Sequence, residues 1–298
     1  MVNIKDSITN NFVIALGYFD SVHIGHRSII SKTISESVRL KSIPAIITFD
    51  DNFLITINRN EKMIYTLSER IKIFNSLGID NVIVISSNNG DLSSSPESFL
   101  KNLTDKYLVR GFVCGPDFRF GMSRQGDVSF IDGYSRAHGI SLSVVDYVLY
   151  NSNEKVSSAS IRGLITNGDL YTANLLLDSP FTMTGHVELG RQNGRLIGFP
   201  TANLTVDSNK IVPAQGVYST FSIINNIRFN SITNIGSKPT YDCYESTIES
   251  HLIGFSGNLY DTTLTIGFNR FLRTIKKFDS PDKLKEQLEK DKSEALND

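Results

Sequence analysis

Residues 185–203 read GHVELGRQNGRLIGFPTAN, and the closing hexapeptide Gly198-Phe199-Pro200-Thr201-Ala202-Asn203 sets the reading of the rest of the chain. A glycine followed by an apolar residue and a proline lets the backbone pass close to a partner and then fixes its direction. Thr201 and Asn203 follow, two residues apart. In an extended segment, alternation puts both side chains on one face. A hydroxyl and an amide are neutral oxygen donors that suit a hard cation already carrying phosphate oxygens, such as Mg²⁺ with ATP. Upstream, Gly185, Gly190, Gly194 and Arg195 predict a glycine-punctuated loop with one cation, able to fold over a nucleotide. Taken alone, such a hexapeptide is equally an ordinary turn between strands.

Around it, residues 181 to about 272 form short extended segments separated by glycine and asparagine, with no amphipathic helix. The run 263–268 alternates cleanly, 216–223 reads as a strand, and Asn225-Asn226 reads as a hairpin turn. This pattern predicts an antiparallel β barrel or sandwich. A closing helix opens at Ser280-Pro281, with Leu284 and Leu288 expected to face inward.

The first half alternates between two periodicities. Apolar runs at 12–16, 43–48, 81–85, 108–114 and 142–147 read as strands. A helix is predicted over 24–40. A second opens on the capping box Thr66-Leu67-Ser68-Glu69, carries Ile71 and Phe74 on one face, and stops at Gly78. A third opens at Ser95-Pro96. Strand and helix in alternation predict a parallel sheet covered by helices, with ligands at the carboxyl ends of its strands. The fold class is therefore α/β followed by β. The boundary is expected near Asp178-Ser179-Pro180, giving domains 1–178 and 179–298.

The 298 residues suffice for two cores, and 40% hydrophobic with 20% charged residues describes an ordinary globular protein. A net charge of −1 leaves no positive excess for a phosphate backbone, which argues against nucleic-acid binding. The first residues lack the apolar core of a signal peptide, and no run reaches the length of a membrane span. Cys114 and Cys243 are far apart and read as reduced structural thiols. Together these predict a cytoplasmic protein, with no membrane and no obligate protein partner.

Three further stretches carry chemistry. After the first strand stands Gly17-Tyr18-Phe19-Asp20-Ser21-Val22-His23-Ile24-Gly25-His26. His23 and His26 share a face at a helix N-terminus, where unpaired N–H groups and the dipole favour phosphate. After a later strand comes Gly115-Pro116-Asp117-Phe118-Arg119-Phe120-Gly121, an acid and a base bracketed by glycines. Val156-Ser157-Ser158-Ala159-Ser160-Ile161-Arg162 places hydroxyls ahead of a helix whose Arg162 suits a phosphate. Each taken alone is also a common turn or cap.

In this order the four stretches resemble the bacterial bifunctional riboflavin kinase/FAD synthetases, whose signatures are G-x-F-D-G-x-H-x-G-H, F-R-F-G, S-S-T-x-I-R and G-x-P-T-A-N. The resemblance covers roughly residues 12 to 291 and includes Gly216-Val217-Tyr218, Ile235-Gly236-Ser237-Lys238-Pro239-Thr240, Glu249-Ser250-His251-Leu252, Leu259-Tyr260 and Phe271-Leu272-Arg273. It implies an N-terminal Rossmann-like nucleotidyltransferase domain and a C-terminal riboflavin kinase barrel. It implies that Thr201 and Asn203 hold Mg²⁺ and ATP and that Glu249 accepts the proton of the riboflavin hydroxyl. Gly194, Arg195, Gly198 and Pro200 would line the ATP phosphates, and Arg273 the flavin. In the N-terminal module His23 and His26 would stabilise charge on ATP while FMN attacks to give FAD. Gly17, Phe19, Asp20, Gly25, Asp117, Arg119, Ser158 and Arg162 would line that site.

The kinase signatures are intact, whereas the N-terminal ones depart from the pattern. Ser21 stands in place of a glycine. Asp51-Asn52-Phe53 stands where the family's T-F-D-P-H-P has its second half, and Ala159 stands in place of a threonine. Two alternatives therefore stay open: a kinase with a weak or inactive adenylyltransferase, and a flavin-binding regulator without turnover.

Overall fold

The computed structural model describes the chain except residues 1–9, 58, 88–92, 152–153, 190–193, 195–196, 241–242 and 298, and the side chains of 238–240 and 243–246. It divides into two compact units, Met1–Ser158 and Ala159–Asp298.

The first unit is built on β1 (Asn11–Leu16), β2 (Ile43–Phe49), β3 (Asn81–Ile85), β4 (Leu108–Cys114) and β5 (Ser141–Val144), with α1 (Ile24–Arg39), α2 (Phe53–Thr56), α3 (Leu67–Ser76), α4 (Pro96–Lys106) and α5 (Val128–His138) between them. The five strands are parallel in the order β3-β2-β1-β4-β5. The central runs of β1, β2 and β3 are almost wholly apolar, as in a sheet covered by helices on both faces, whereas the edge strand β5 alternates serine with apolar residues. Phe12, Ile14 and Leu16 bury on one side of the sheet, Val13 and Ala15 on the other. The order reverses at β1, so the ends of β1 and β4 open onto the crevice where such sheets bind ligands. A two-stranded ribbon, β6 (Leu149–Tyr150) and β7 (Glu154–Lys155), follows β5.

Helix ends follow the predicted caps. Thr66 and Glu69 form the capping box of α3, and Gly78 follows at φ 91°. Ser95 caps α4 with Pro96 at its first turn. Two expectations shift. Helix α1 stops at Arg39, with Leu40 as its cap. The strand predicted over 142–147 ends at Val144; only the Val145 N–H continues to the sheet, bonding the Cys114 carbonyl at 2.9 Å. Beyond it Tyr147 is exposed and its ring carries the Lys155 ammonium 4.1 Å away, a contact that draws it out of the ladder.

Helix α6 (Ser158–Thr166) crosses the division between the units, and α7 (Leu170–Leu177), which the sequence reading passed over, follows it. Strands β8 (Phe181–Glu188), β9 (Ala202–Thr205), β10 (Gly216–Ile224), β11 (Ile227–Thr240), β12 (Cys243–Leu252) and β13 (Thr263–Arg273) close a barrel in the order β10-β11-β12-β9-β8-β13. Strands β11 and β12, of 14 and 10 residues, are longer than the short segments expected. Asn225 and Asn226, at φ 49° and 63°, make the predicted hairpin between β10 and β11. Gly185 lies within β8 rather than in a loop. A Cβ there would sit 2.2 Å from the Thr205 carbonyl oxygen, so the glycine is what lets β8 and β9 pair.

The barrel interior holds Phe181, Met183, Tyr218 and Phe268 together with Thr220, Ser222, Ser231, Thr233 and Ser250, all fully buried. The hydroxyls bond one another at 2.8–3.3 Å, which satisfies them without water. Helix α8 (Pro281–Leu296), capped by Ser280, lies on the outer face. Its deepest residues are Asp291 and Ala295; the expected anchors Leu284 and Leu288 are half-buried and line a cavity instead. Among the described residues no helix is long and apolar enough to cross a membrane.

Candidate functional site

In the barrel, adjacent strands are in a register that assembles a row of side chains on the outer face. Arg273 pairs with Val217, Val217 with Asn234, Asn234 with Glu249, and Glu249 with Asn203. Directly opposed residues of antiparallel strands share a face, with Cβ atoms about 5 Å apart. Thr201, just ahead of β9, donates its hydroxyl to Glu249 Oε2 at 3.4 Å. Arg273, Val217, Asn234 and Glu249 of this row, with Thr201, form the floor of a cavity of about 630 Å³ roofed by α8 and the segment before it. One end is bounded by Gly194, Phe199, Thr201 and His251, and the other by Val217, Ile232, Leu284 and Leu288. The apolar Val217, Ile232, Leu284 and Leu288 share the lining with the charged Arg273, Lys276 and Asp279.

Two contacts hold the Gly198–Asn203 segment in place. Gly194 accepts the Phe199 N–H at 2.8 Å, and a Cβ on Gly194 would fall 2.2 Å from the Phe199 carbonyl oxygen. Gly198 takes φ 84°, the left-handed conformation a side chain opposes. His251 Nδ1 donates to the Pro200 carbonyl at 2.8 Å, and its ring packs 5.0 Å from that of Phe199. Burial keeps His251 below the usual imidazole range, so the bonding ring is neutral and its tautomer is set by the carbonyl. His251 follows Glu249 by two residues on β12 and shares its face. The sequence reading gave His251 no role, although its place two residues from Glu249 is the signal that could have found it. Arg273 is taken up by Asp291, which accepts from Nε at 3.0 Å and from Nη2 at 2.7 Å. Asp291 also accepts from Gln287 at 2.8 Å. The pair fastens α8 to β13 at the cavity rim. Arg195 and Gly190 lie outside the described residues.

In the first unit, His23 is the N-cap of α1, its Nδ1 accepting the His26 N–H at 3.2 Å. A neutral ring accepting at Nδ1 carries its proton on Nε2, which makes it a donor to whatever enters. The two imidazoles stack with centroids 3.8 Å apart at 8°. Burial pulls His23 down to about 4, with the nearby Lys155 adding to it. Burial, then His23 and Lys155, hold His26 well below the usual range. The His26 Nδ1 is buried and has no hydrogen-bond partner among the described residues. Gly25 keeps the space that the His23 ring fills; a Cβ would lie 3.0 Å from its Cε1.

The turn before them is tight. Phe19 and Val22 take φ 55° and 45°, whereas Ser21 does not enter the left-handed region. A Cβ on Gly17 would meet the Phe19 ring at 2.8 Å. Asp20 is buried and accepts the Ile64 N–H at 3.0 Å. Ser21 Oγ and Ser158 Oγ share a hydrogen bond of 3.0 Å, so the residue in place of glycine ties the first stretch to the third. Asp117 pairs with Lys155, a cation the sequence reading missed although it stands directly before Val156-Ser157-Ser158. Arg119 Nη1 bonds Asp127, the cap of α5, at 2.9 Å. Arg162 lies four residues beyond Ser158 on α6, in the second unit.

The departing Asp51-Asn52-Phe53 has partners of its own. Asp51 accepts the Leu67 N–H at 2.5 Å and faces the buried Arg70 at 3.4 Å. Phe53 stacks on Phe49 at 4.1 Å and lies 4.8 Å from Tyr18. Burial pushes the Cys114 thiol up to about 12, which keeps it unreactive.

Comparison with known proteins agrees across the chain. The FAD synthetase family model matches residues 5–160 and the riboflavin kinase model residues 177–297. A bifunctional riboflavin kinase/FMN adenylyltransferase of Bacillus subtilis is 34% identical, covering 95% of this chain and 91% of the relative. Its counterpart in Buchnera aphidicola is 32% identical, covering 97% and 94%. A crystal structure described as a macrolide-efflux protein from Streptococcus pneumoniae superposes with TM-score 0.88 at 25% identity, over 99% of this chain and 96% of that one. With both family models matched in order and relatives alike over almost their full length, the chain belongs to the bifunctional riboflavin kinase/FMN adenylyltransferase family.

Proposed function

We propose that the barrel module phosphorylates riboflavin to FMN with ATP, and that the N-terminal module transfers the adenylyl group of a second ATP to FMN, giving FAD and pyrophosphate. The observation that carries the kinase half is the approach of Thr201 to Glu249, 3.4 Å apart on the floor of a cavity. In-line phosphoryl transfer asks little covalent chemistry of a protein beyond positioning and charge neutralisation. Glu249 accepts the proton of the ribityl terminal hydroxyl as that oxygen attacks the γ-phosphorus. Gly194, Gly198 and Pro200 line the phosphates, and Arg273 stands at the flavin end.

The hydroxyl of Thr201 and the amide of Asn203, opposite Glu249, are the hard, neutral oxygen donors that fit Mg²⁺. When bound with ATP the ion neutralises charge on the transferring phosphoryl group.

In the N-terminal module His23 and His26 donate to the ATP phosphates as the FMN phosphate attacks the α-phosphorus. Gly17, Phe19, Asp20 and Gly25 shape the turn, with Asp117, Arg119 and Ser158 completing the site within the first unit. We place the functional boundary at Asp178-Ser179, where Asp178 ends α7 at φ 54°. Substrates of this kind are small soluble metabolites, which fits a cytoplasmic enzyme acting without a protein partner, membrane or nucleic acid. The test is incubation of the chain with riboflavin, ATP and Mg²⁺, with chromatographic separation of the flavins. The expected result is FMN and FAD from the intact chain and FMN alone from His23→Ala. Loss of FMN in His23→Ala would remove the division of labour.

A further inference from the structure

We infer that Asn234 is the residue that reads the polyol chain of the flavin, through its secondary hydroxyls; the inference rests on the kinase reading above. Asn234 stands directly opposite Glu249 on β11 and lines the same cavity. The row along the cavity floor has a direction. Thr201 and Asn203 mark the phosphate end, Glu249 the position of the accepting hydroxyl, and Val217, Ile232, Leu284 and Leu288 an apolar end suited to a ring system. A substrate whose terminal hydroxyl meets Glu249 with its phosphoryl donor on the Asn203 side must lay the rest of its chain toward β11. One strand spacing, about 4.8 Å, then brings the secondary hydroxyls over Asn234.

The side chain is suited to this. A carboxamide offers both donor and acceptor, so it can pair with a hydroxyl in either sense. Among the described residues the Asn234 amide makes no side-chain hydrogen bond. Its neighbours on the same face are the apolar Val217 and the carboxylate of Glu249. A polar group at this point stands between the apolar Val217 and the Glu249 carboxylate, where a hydroxylated chain leading away from Glu249 would pass. It gives specificity for a hydroxylated chain, because the amide loses its only partner when the hydroxyls are missing.

The test compares riboflavin with a flavin analogue whose side chain keeps the terminal hydroxyl and lacks the secondary ones, each phosphorylated with ATP and Mg²⁺. The intact chain should favour riboflavin in kcat/KM by roughly tenfold, the worth of one neutral hydrogen bond. In Asn234→Ala that preference should collapse toward one. The loss should fall on the KM for riboflavin, with kcat and the values for the analogue little changed. Asn234→Ser, which keeps a hydroxyl, should restore part of the preference, and it serves as the comparison if Asn234→Ala does not fold. Equal losses on both flavins, or a preference that survives the substitution, would overturn the inference while leaving the kinase reading intact. An intact chain that phosphorylates neither flavin would overturn the kinase reading and this inference with it.

Discussion

The Thr201 hydroxyl reaches the Glu249 carboxylate across 3.4 Å although 48 residues separate them in the chain. The contact exists because β9 and β12 are neighbours in the closed barrel, with Asn203 opposite Glu249. A proline-fixed segment and a strand from the far side of the fold are thereby brought to one cavity wall. His251, two residues beyond Glu249, holds the Pro200 carbonyl from the same strand.

Gly194 supports that segment from behind, and a methyl group there has nowhere to go but the Phe199 carbonyl oxygen 2.2 Å away. Gly194→Ala should displace the Thr201 and Asn203 oxygens. Riboflavin phosphorylation should fall at least tenfold in kcat/KM, the scale on which misplacement of a binding group acts, with FAD formation from supplied FMN unchanged. Steady-state kinetics on the two half-reactions check this, and an unaffected kinase would contradict it.

Asp291 is 2% exposed and Arg273 14%, so their pair is sheltered from water. Removing one partner strands the other: Asp291→Ala should cost about 3–5 kcal/mol in urea unfolding. Arg273→Met with Asp291→Leu should recover most of it, since the pair's net worth against apolar packing is small. If Arg273 also touches flavin, the double variant regains stability but not riboflavin affinity.

The stacked histidines give the N-terminal unit a pH dependence. His23 takes up its proton near 6.5 when unfolded and near 4 when folded, because burial opposes the charge. Between those values the unfolded chain binds more protons, so stability is level above about pH 6.5 and falls as pH drops toward 4. For His23 the full fall is about 3 kcal/mol, and His26 acts in the same direction. Urea midpoints at about pH 7.5 and pH 5 should show it, with a shallower fall in His23→Asn. Equal slopes in both proteins would contradict it.

Much of this architecture was legible because its signals are local. The capping residues Thr66, Ser95 and Ser280 and the Asn225-Asn226 turn act within a few residues of themselves, and each stands where its local chemistry puts it. Gly185 misled because a glycine required by close strand pairing looks the same in sequence as one that loosens a loop. The roles of Asn234, Asp291 and Lys155 were not readable. Each depends on a partner brought in by register or by helix docking, and no spacing encodes that. Ser21 shows the same limit: its hydroxyl looked like a defect in a glycine turn, yet it bonds Ser158, 137 residues away.

The most direct test of the account is the rate at which Glu249→Gln converts riboflavin to FMN with saturating ATP and Mg²⁺. A carboxamide keeps the shape and cannot take the proton, so kcat should fall by about 10²–10⁴, while riboflavin still binds and supplied FMN is still converted to FAD. Near-normal FMN formation by Glu249→Gln would contradict the assignment of the base, and with it the purpose given to the cavity.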